Sequence, residues 1–164
     1  MITASAPGKI NLYFAVGPKL ENGYHEVCSV YLALNLRERI SVSKSSEYAI
    51  EVSGNINNIA SVPTDESNLV VKAAKLVTPE TVAFEINKQV PVAGGMGGGS
   101  ADAAAALVAT SELFGVVLPK TSVTLGADVP FALIGGVALG TGVGEKLTPL
   151  TMQGELHIVL IPSE

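Results

Sequence analysis

The chain has 164 residues, 48% of them hydrophobic, which is enough for a sizeable core in a single domain. Aromatics make up 5% and Trp is absent, so that core must be built mainly from Ala, Val, Ile and Leu. A formal net charge of -5 argues against non-specific attraction to nucleic acid or an anionic membrane, yet still allows an anionic ligand held by one Lys and backbone N–H groups. Cys28 is the single cysteine, so an internal disulfide and a secreted disulfide scaffold are excluded. The opening MITASAP has no basic region leading into an apolar core, and no apolar run approaches the ~18 residues of a membrane span. A soluble, cytoplasmic protein is the expectation. Charged residues are only 15%, low for a free-standing surface, which fits a piece of a larger protein with apolar surface turned toward another domain.

Residues 9–16 (KINLYFAV) are apolar and partly alternating and predict a strand, and 18–24, with Pro, Asn and Gly, predict a turn. Residues 26–36 read as a second strand, and 35–42 and 47–52 as two more joined by a short turn. The polar stretch 54–64 is irregular. Asn68 stands at a cap position before a helical apolar pattern over 68–76, and 81–87 (TVAFEIN) is again a strand. A helix follows Ser100, rich in alanine and stopped by Gly115. Residues 129–134 and 136–139 are short apolar pieces around a Gly-Gly turn, and 156–161 (LHIVLI) predict a buried strand. Strands grouped at the start and then mixed with helices point to an α+β fold rather than a doubly wound sheet.

The stretch VPVAGGMGGGSADAAAALVA carries most of the chemistry. A linker or a tight turn would account for the glycines. Against that, the run opens directly into a helix with Ser100 and Asp102 in its first turn. Glycine removes every Cβ, so the backbone can approach a ligand closely, and successive N–H groups with the open helix start can converge on an anion. No Lys follows the glycines as GxxxxGK[ST] requires, and GxGxxG is absent, so neither a P-loop nor a dinucleotide-binding turn is present. Asp128, in LGADVPF, is either a turn or cap residue or a partly buried acid. Lys9, between Gly8 and Ile10, would ordinarily be solvated, and the Tyr24-His25 pair would ordinarily belong to a turn and an edge strand.

PVAGGMGGGSADAAAAL resembles the glycine-rich ATP-binding motif of the galactokinase, homoserine kinase, mevalonate kinase and phosphomevalonate kinase superfamily, of general form P-x-x-x-G-L-G-x-S-S-x-x-A-A. APGKINLYFAVGPKLENGYHEV resembles the opening of the 4-diphosphocytidyl-2-C-methyl-D-erythritol kinase family, and LGADVPFALIGGVALGTGVGEKLTPL resembles that family's second signature. Met96 stands where Leu is usual, and Ala101 where many members have a second Ser. The resemblance implies a two-layer α+β N-terminal domain similar to domain 2 of ribosomal protein S5, spanning residues 1–164. It also implies a C-terminal domain that this chain lacks, and segments near 76–81 and 118–125 shorter than usual, either trimmed or omitted.

The implied activity is ATP-dependent phosphorylation of the 2-hydroxyl of 4-(cytidine 5'-diphospho)-2-C-methyl-D-erythritol in the non-mevalonate route to isoprenoids. Asp128 would be the base and Lys9 its charge partner. ATP would be held by Pro91, Val92, Ala93, Gly94, Gly95, Met96, Gly97, Gly98, Gly99, Ser100 and Ala101. Tyr24 and His25 would hold the cytosine, by stacking and by reading a polar edge, with Asn11 beside the polyol. Mg²⁺ accompanies ATP in such chemistry; no dedicated protein metal site is expected, Ser100 being at most a contact to the ion. Partners are the small-molecule substrate and the remaining domain, with no nucleic acid and no membrane. Two other readings stay open: a superfamily kinase for a mevalonate- or homoserine-like acceptor, and a non-enzymatic S5-like binding module.

Overall fold

The computed structural model describes residues 1–19, 21, 23 and 25–161. Its frame is a pair of long antiparallel strands, β1 (Ile2–Lys19) and β2 (His25–Lys44), in register from Ile2↔Val42 to Lys19↔His25. The ladder is interrupted between Pro7 and Lys9 and again between Asn11 and Tyr13. Bulges of this kind bend a strand and re-aim its side chains, and these two bracket Lys9.

After β2 come β3 (Ala49–Gly54), α1 (Leu69–Val77) and β4 (Val82–Lys88), a β-α-β unit with β3 and β4 parallel. β4 inserts between β3 and the end of β2, pairing Arg39↔Asn87 through Lys44↔Val82. The two strands expected over 35–42 and 47–52 are therefore consecutive in sequence but not neighbours in the sheet, and the two strands expected across 26–42 are one. The glycine run leads into α2 (Gly98–Phe114), then α3 (Val129–Ile134) and the hairpin β5 (Val137–Thr141) and β6 (Lys146–Leu150). β5 joins β2 over Ser29–Leu32, giving the order β3-β4-β2-β5-β6 with β1 on the remaining edge of β2.

Strand parity decides which face is covered. Ile40, Val42, Val82, Phe84 and Ile86 are all buried on one face, whereas Arg39, Glu85 and Asn87 alternate with them and are exposed. A one-residue slip would bury those polar residues instead, so the apolar row fixes register. α1 and α2 cover this face. In α2, Ala101, Ala103, Ala104, Ala105, Ala106 and Ala109 are all buried. Alanine's small volume lets a helix lie close against a sheet and other helices on several sides at once.

Asn68 caps α1, its side chain accepting from the Val70 N–H at 3.0 Å and donating to the Pro63 carbonyl at 2.6 Å. Gly115 closes α2 at φ 63°. Only four residues separate α1 from β4, and the segment before α3 holds a short 3₁₀ turn, Ser122–Leu125, in place of a full helix. No helix among the described residues is long and apolar enough to cross a membrane.

The strand expected over 156–161 does not form. The segment carries no strand, and Leu156, Ile158, Val159 and Ile161 are exposed. A nearly continuous apolar run becomes a strand only where a neighbouring edge supplies N–H and C=O partners. Among the described residues this run makes no ladder. Leu160 alone reaches an apolar cluster, packing with Leu34, Val90 and Met96.

Candidate active site

Three segments far apart in sequence meet beside the middle of the β1–β2 pair. The first is the glycine run. Pro91 follows a bend at Val90, and the chain turns through Val92 and Ala93, the latter at φ 61°. Gly94 and Gly95 are exposed, while Met96 is buried against Leu34 and Val90 and pins the loop to the sheet. Gly97 sits at φ 69° as the N-cap of α2 and offers no side-chain cap bond. The first N–H groups of the helix, carried by Gly98, Gly99 and Ser100, have no partner within it. The result is a backbone surface with its donors open at a helix N-terminus, the arrangement that binds phosphate.

The second segment is the bulged part of β1. The Lys9 N–H donates to the Met96 carbonyl at 2.8 Å, which ties the strand to the glycine loop. The Lys9 ammonium lies 3.5 Å from Asp128 Oδ2, donates to Asn11 Oδ1 at 3.0 Å, and stands 5.7 Å from the centre of the Tyr31 ring. Asn11 Nδ2 in turn donates to Ser29 Oγ at 2.6 Å, and that hydroxyl donates to the Tyr13 carbonyl at 2.9 Å. Lys9 is thus held by a chain of named contacts, with its side chain only 12% exposed.

The third segment is GADVPF. Asp128 is the N-cap residue of α3 by position, yet its side chain makes no cap bond, and Pro130 occupies the first turn. The carboxylate, 28% exposed, faces Lys9 instead. A Cβ built on Gly97 would stand 3.3 Å from Lys9 Cγ and 3.5 Å from Asp128 Oδ2, so the loop rests directly on the pair. A Cβ on Gly126 would stand 3.4 Å from Ser100 Oγ, which places the Ser100 hydroxyl beside the same turn.

Tyr31 forms the floor. Its ring packs on Phe131 of α3 at 5.1 Å between centroids, and burial, reinforced by the charges of Asp128 and Glu145, pushes the phenol above its ordinary range.

The structure therefore brings Lys9, Asn11, Asp128, Ser100 and the loop from Pro91 to Ala101 to one place. His25 lies elsewhere, at the far end of the β1–β2 hairpin, with Nδ1 3.1 Å from the Gly17 carbonyl. Lys9 pairs with Ala33, eight residues along β2 from His25, about 26 Å at strand spacing. Tyr24 lies outside the described residues. No group of three or more His, Cys, Asp or Glu gathers into a metal site among the described residues.

Sequence reasoning passed over a second set of residues under the loop. Lys88 Nζ lies 2.6 Å from Glu38 Oε1 and 2.6 Å from Asp102 Oδ2, and all three side chains are at most 5% exposed. Burial raises the Asp102 carboxyl to about 7 even though Lys88 pulls it down. The signal was present in the parity: Lys88 and Glu38 continue the inward rows of Phe84–Ile86 and Ile40–Val42.

The α+β fold is that of the GHMP kinase N-terminal domain, and residues 68–136, which include the glycine loop and the alanine-rich helix, match the family described as "GHMP kinases N terminal domain". The chain is similar to the 4-diphosphocytidyl-2-C-methyl-D-erythritol kinases. It is 46% identical to the enzyme of that name from Leifsonia xyli subsp. xyli over 97% of this chain and 55% of the relative. A crystal structure of a 4-(cytidine 5'-diphospho)-2C-methyl-D-erythritol kinase superposes with a TM-score of 0.74 at 35% identity, covering 92% of this chain and 56% of that one. The Methanococcus jannaschii mevalonate kinase shares the fold alone, with a TM-score of 0.62 at 15% identity over 93% of this chain and 56% of that one. The chain spans about half the length of the curated relatives it matches.

Proposed function

We propose that this chain is the ATP- and acceptor-binding part of a kinase that phosphorylates the 2-hydroxyl of 4-(cytidine 5'-diphospho)-2-C-methyl-D-erythritol. The observation that carries the reading is the Lys9–Asp128 pair, 3.5 Å apart, directly beneath Gly97 at the start of α2. Asp128 orients the acceptor hydroxyl and takes its proton. The freed oxygen attacks the γ-phosphorus of ATP in line, a P–O bond forms as the bond to the β-phosphate oxygen breaks, and ADP leaves. Lys9, facing the Asp128 carboxylate, offsets negative charge on the transferring group.

The loop from Pro91 to Ala101 fits the phosphates because its glycines leave the backbone bare where a Cβ at Gly97 would crowd Lys9 and Asp128. Mg²⁺, when bound with ATP, neutralises phosphate charge, with Ser100 the protein contact available at the helix start. Asn11 stands beside Lys9 and reaches the polyol. His25, with Tyr24, takes the cytosine. An acceptor that touches both Lys9 and His25 must be long and extended, as a nucleotide-linked polyol is. The second domain of the full protein closes the site, and the protein works in the cytoplasm as part of isoprenoid precursor synthesis.

The test is a coupled ADP-release assay on the full-length protein with the cytidine diphosphate compound, mevalonate and homoserine offered separately. ADP release well above background with the cytidine compound alone supports the proposal. Turnover only with a nucleobase-free acceptor, or no ATP binding at all, sinks it.

A further inference from the structure

A loop with five glycines in six positions loses more conformational entropy on ordering than a loop of ordinary residues, so something must hold its shape. Met96 anchors its middle. Its two stems are joined by charge. Upstream, the β2–β4 ladder ends at Arg39↔Asn87, and the next backbone N–H groups, those of Gln89 and Val90, are taken by the Glu38 carboxylate at 2.9 and 3.3 Å. Downstream, Asp102 projects from α2 just past its first turn, the helix starting at Gly98 rather than after Ser100. Lys88 stands between, its ammonium 2.6 Å from an oxygen of each acid. Gly98 is seated on the cluster: a Cβ there would lie 3.2 Å from Glu38 Oε1 and 3.4 Å from Lys88 Nζ.

Stability alone is a poor reason for three buried ionisable groups, because desolvation offsets most of their attraction and apolar replacements are often as stable. Asp102 Oδ1 adds to the cost, having no hydrogen-bond partner among the described residues. What the cluster does supply is a fixed distance and direction between the end of β4 and the start of α2, the two points from which the loop hangs.

We infer that Glu38, Lys88 and Asp102 form a positioning clip that sets the geometry of the glycine loop, and through it the reception of the nucleotide's phosphates. None of the three acts on the reacting atoms. The inference rests on the phosphate-binding reading of the loop, so its test measures ATP binding directly, without an acceptor, in the full-length protein.

Lys88→Arg keeps the charge but replaces a compact ammonium with a planar fork. The triple change Glu38→Gln/Lys88→Met/Asp102→Asn removes all three charges at similar volume. ATP binding by calorimetry is expected to weaken about 10-fold in both, the size of a lost charged hydrogen bond. Affinity for the cytidine diphosphate compound should move less than about twofold, and the triple variant should keep a melting temperature close to the parent's. Amide hydrogen exchange over 94–100 should accelerate about 10-fold in step. A merely structural cluster would lower the melting temperature and leave folded molecules binding ATP normally. ATP affinity within twofold of the parent, in whichever variant folds, with parental exchange over 94–100, overturns the clip. Absence of ATP binding by the parent itself overturns both this and the kinase reading.

Discussion

Asp128 occupies a helix-cap position without spending its carboxylate on the cap, and that unspent carboxylate is what the proposed chemistry needs. Asp128→Asn preserves shape and the contact with Lys9 but cannot accept a proton. Turnover should fall about 10²-fold or more while calorimetric ATP affinity is retained; near-parental turnover would remove Asp128 from the base role. Asp102 makes a different prediction. Its carboxyl is raised from 3.8 to about 7 by burial, so between those values the native state holds a proton that the unfolded chain has released. Stability from this group is then greatest at the acid end of that window and declines as pH rises through it toward 7, levelling off above. Melting temperatures measured from pH 5 to 8 should show this decline in the parent and a flatter profile in Asp102→Asn. Identical profiles would mean that Asp102 titrates at its ordinary value. The family resemblance singled out the first acid, which LGADVPF alone leaves equally open as a turn or cap residue. The second was hidden because only strand pairing shows that Lys88 and Glu38 are close enough to enclose it.

Among the elements, the glycine run was the most legible, because repeated glycine before an alanine helix has few structural meanings. Which glycine matters most could not be read from the run. Gly95 and Gly97 share φ 69°, so an added side chain strains the backbone equally at both. At Gly95 the new Cβ meets nothing within 4 Å, whereas at Gly97 it meets Lys9 and Asp128. Both alanine variants should lose about 1 kcal/mol or more by denaturant unfolding. Turnover should drop about a further 10-fold in Gly97→Ala alone, since small displacements of reacting groups are costly. Equal turnover in the two would separate the loop from the Lys9–Asp128 pair. Asn68 and Gly115 were legible for a related reason, a cap being a local signal. β6 was not, because KLTPL with its Pro alternates weakly and becomes a strand only by pairing with β5, Val137↔Leu150 through Thr141↔Lys146.

Across the whole molecule, local pattern gave the α+β class and the strands but not their order. β4 reaches its place between β3 and β2 through α1, and no feature of 47–52 announces that the strand beside it lies some thirty residues on. The run at 156–161 shows the converse, strand-like in pattern and without a ladder. The same scale governs the substrate. His25 lies at the turn end of the β1–β2 hairpin and the Lys9–Asp128 pair near its middle, so a single acceptor engages both only if it runs along β1 and β2. In the proposed reading the hairpin would measure the length of the acceptor, and the two sites should fail independently. His25→Ala is expected to raise KM for the cytidine diphosphate compound about 10-fold or more, the size of one lost polar contact with its desolvation. kcat and KM for ATP should stay near the parent's, because the phosphoryl-transfer end is untouched. A nucleobase-free polyol phosphate, if accepted at all, should be handled equally by parent and variant. A fall in kcat with an unchanged acceptor KM would show that His25 acts near the reacting atoms, and would shorten the ligand that this hairpin measures.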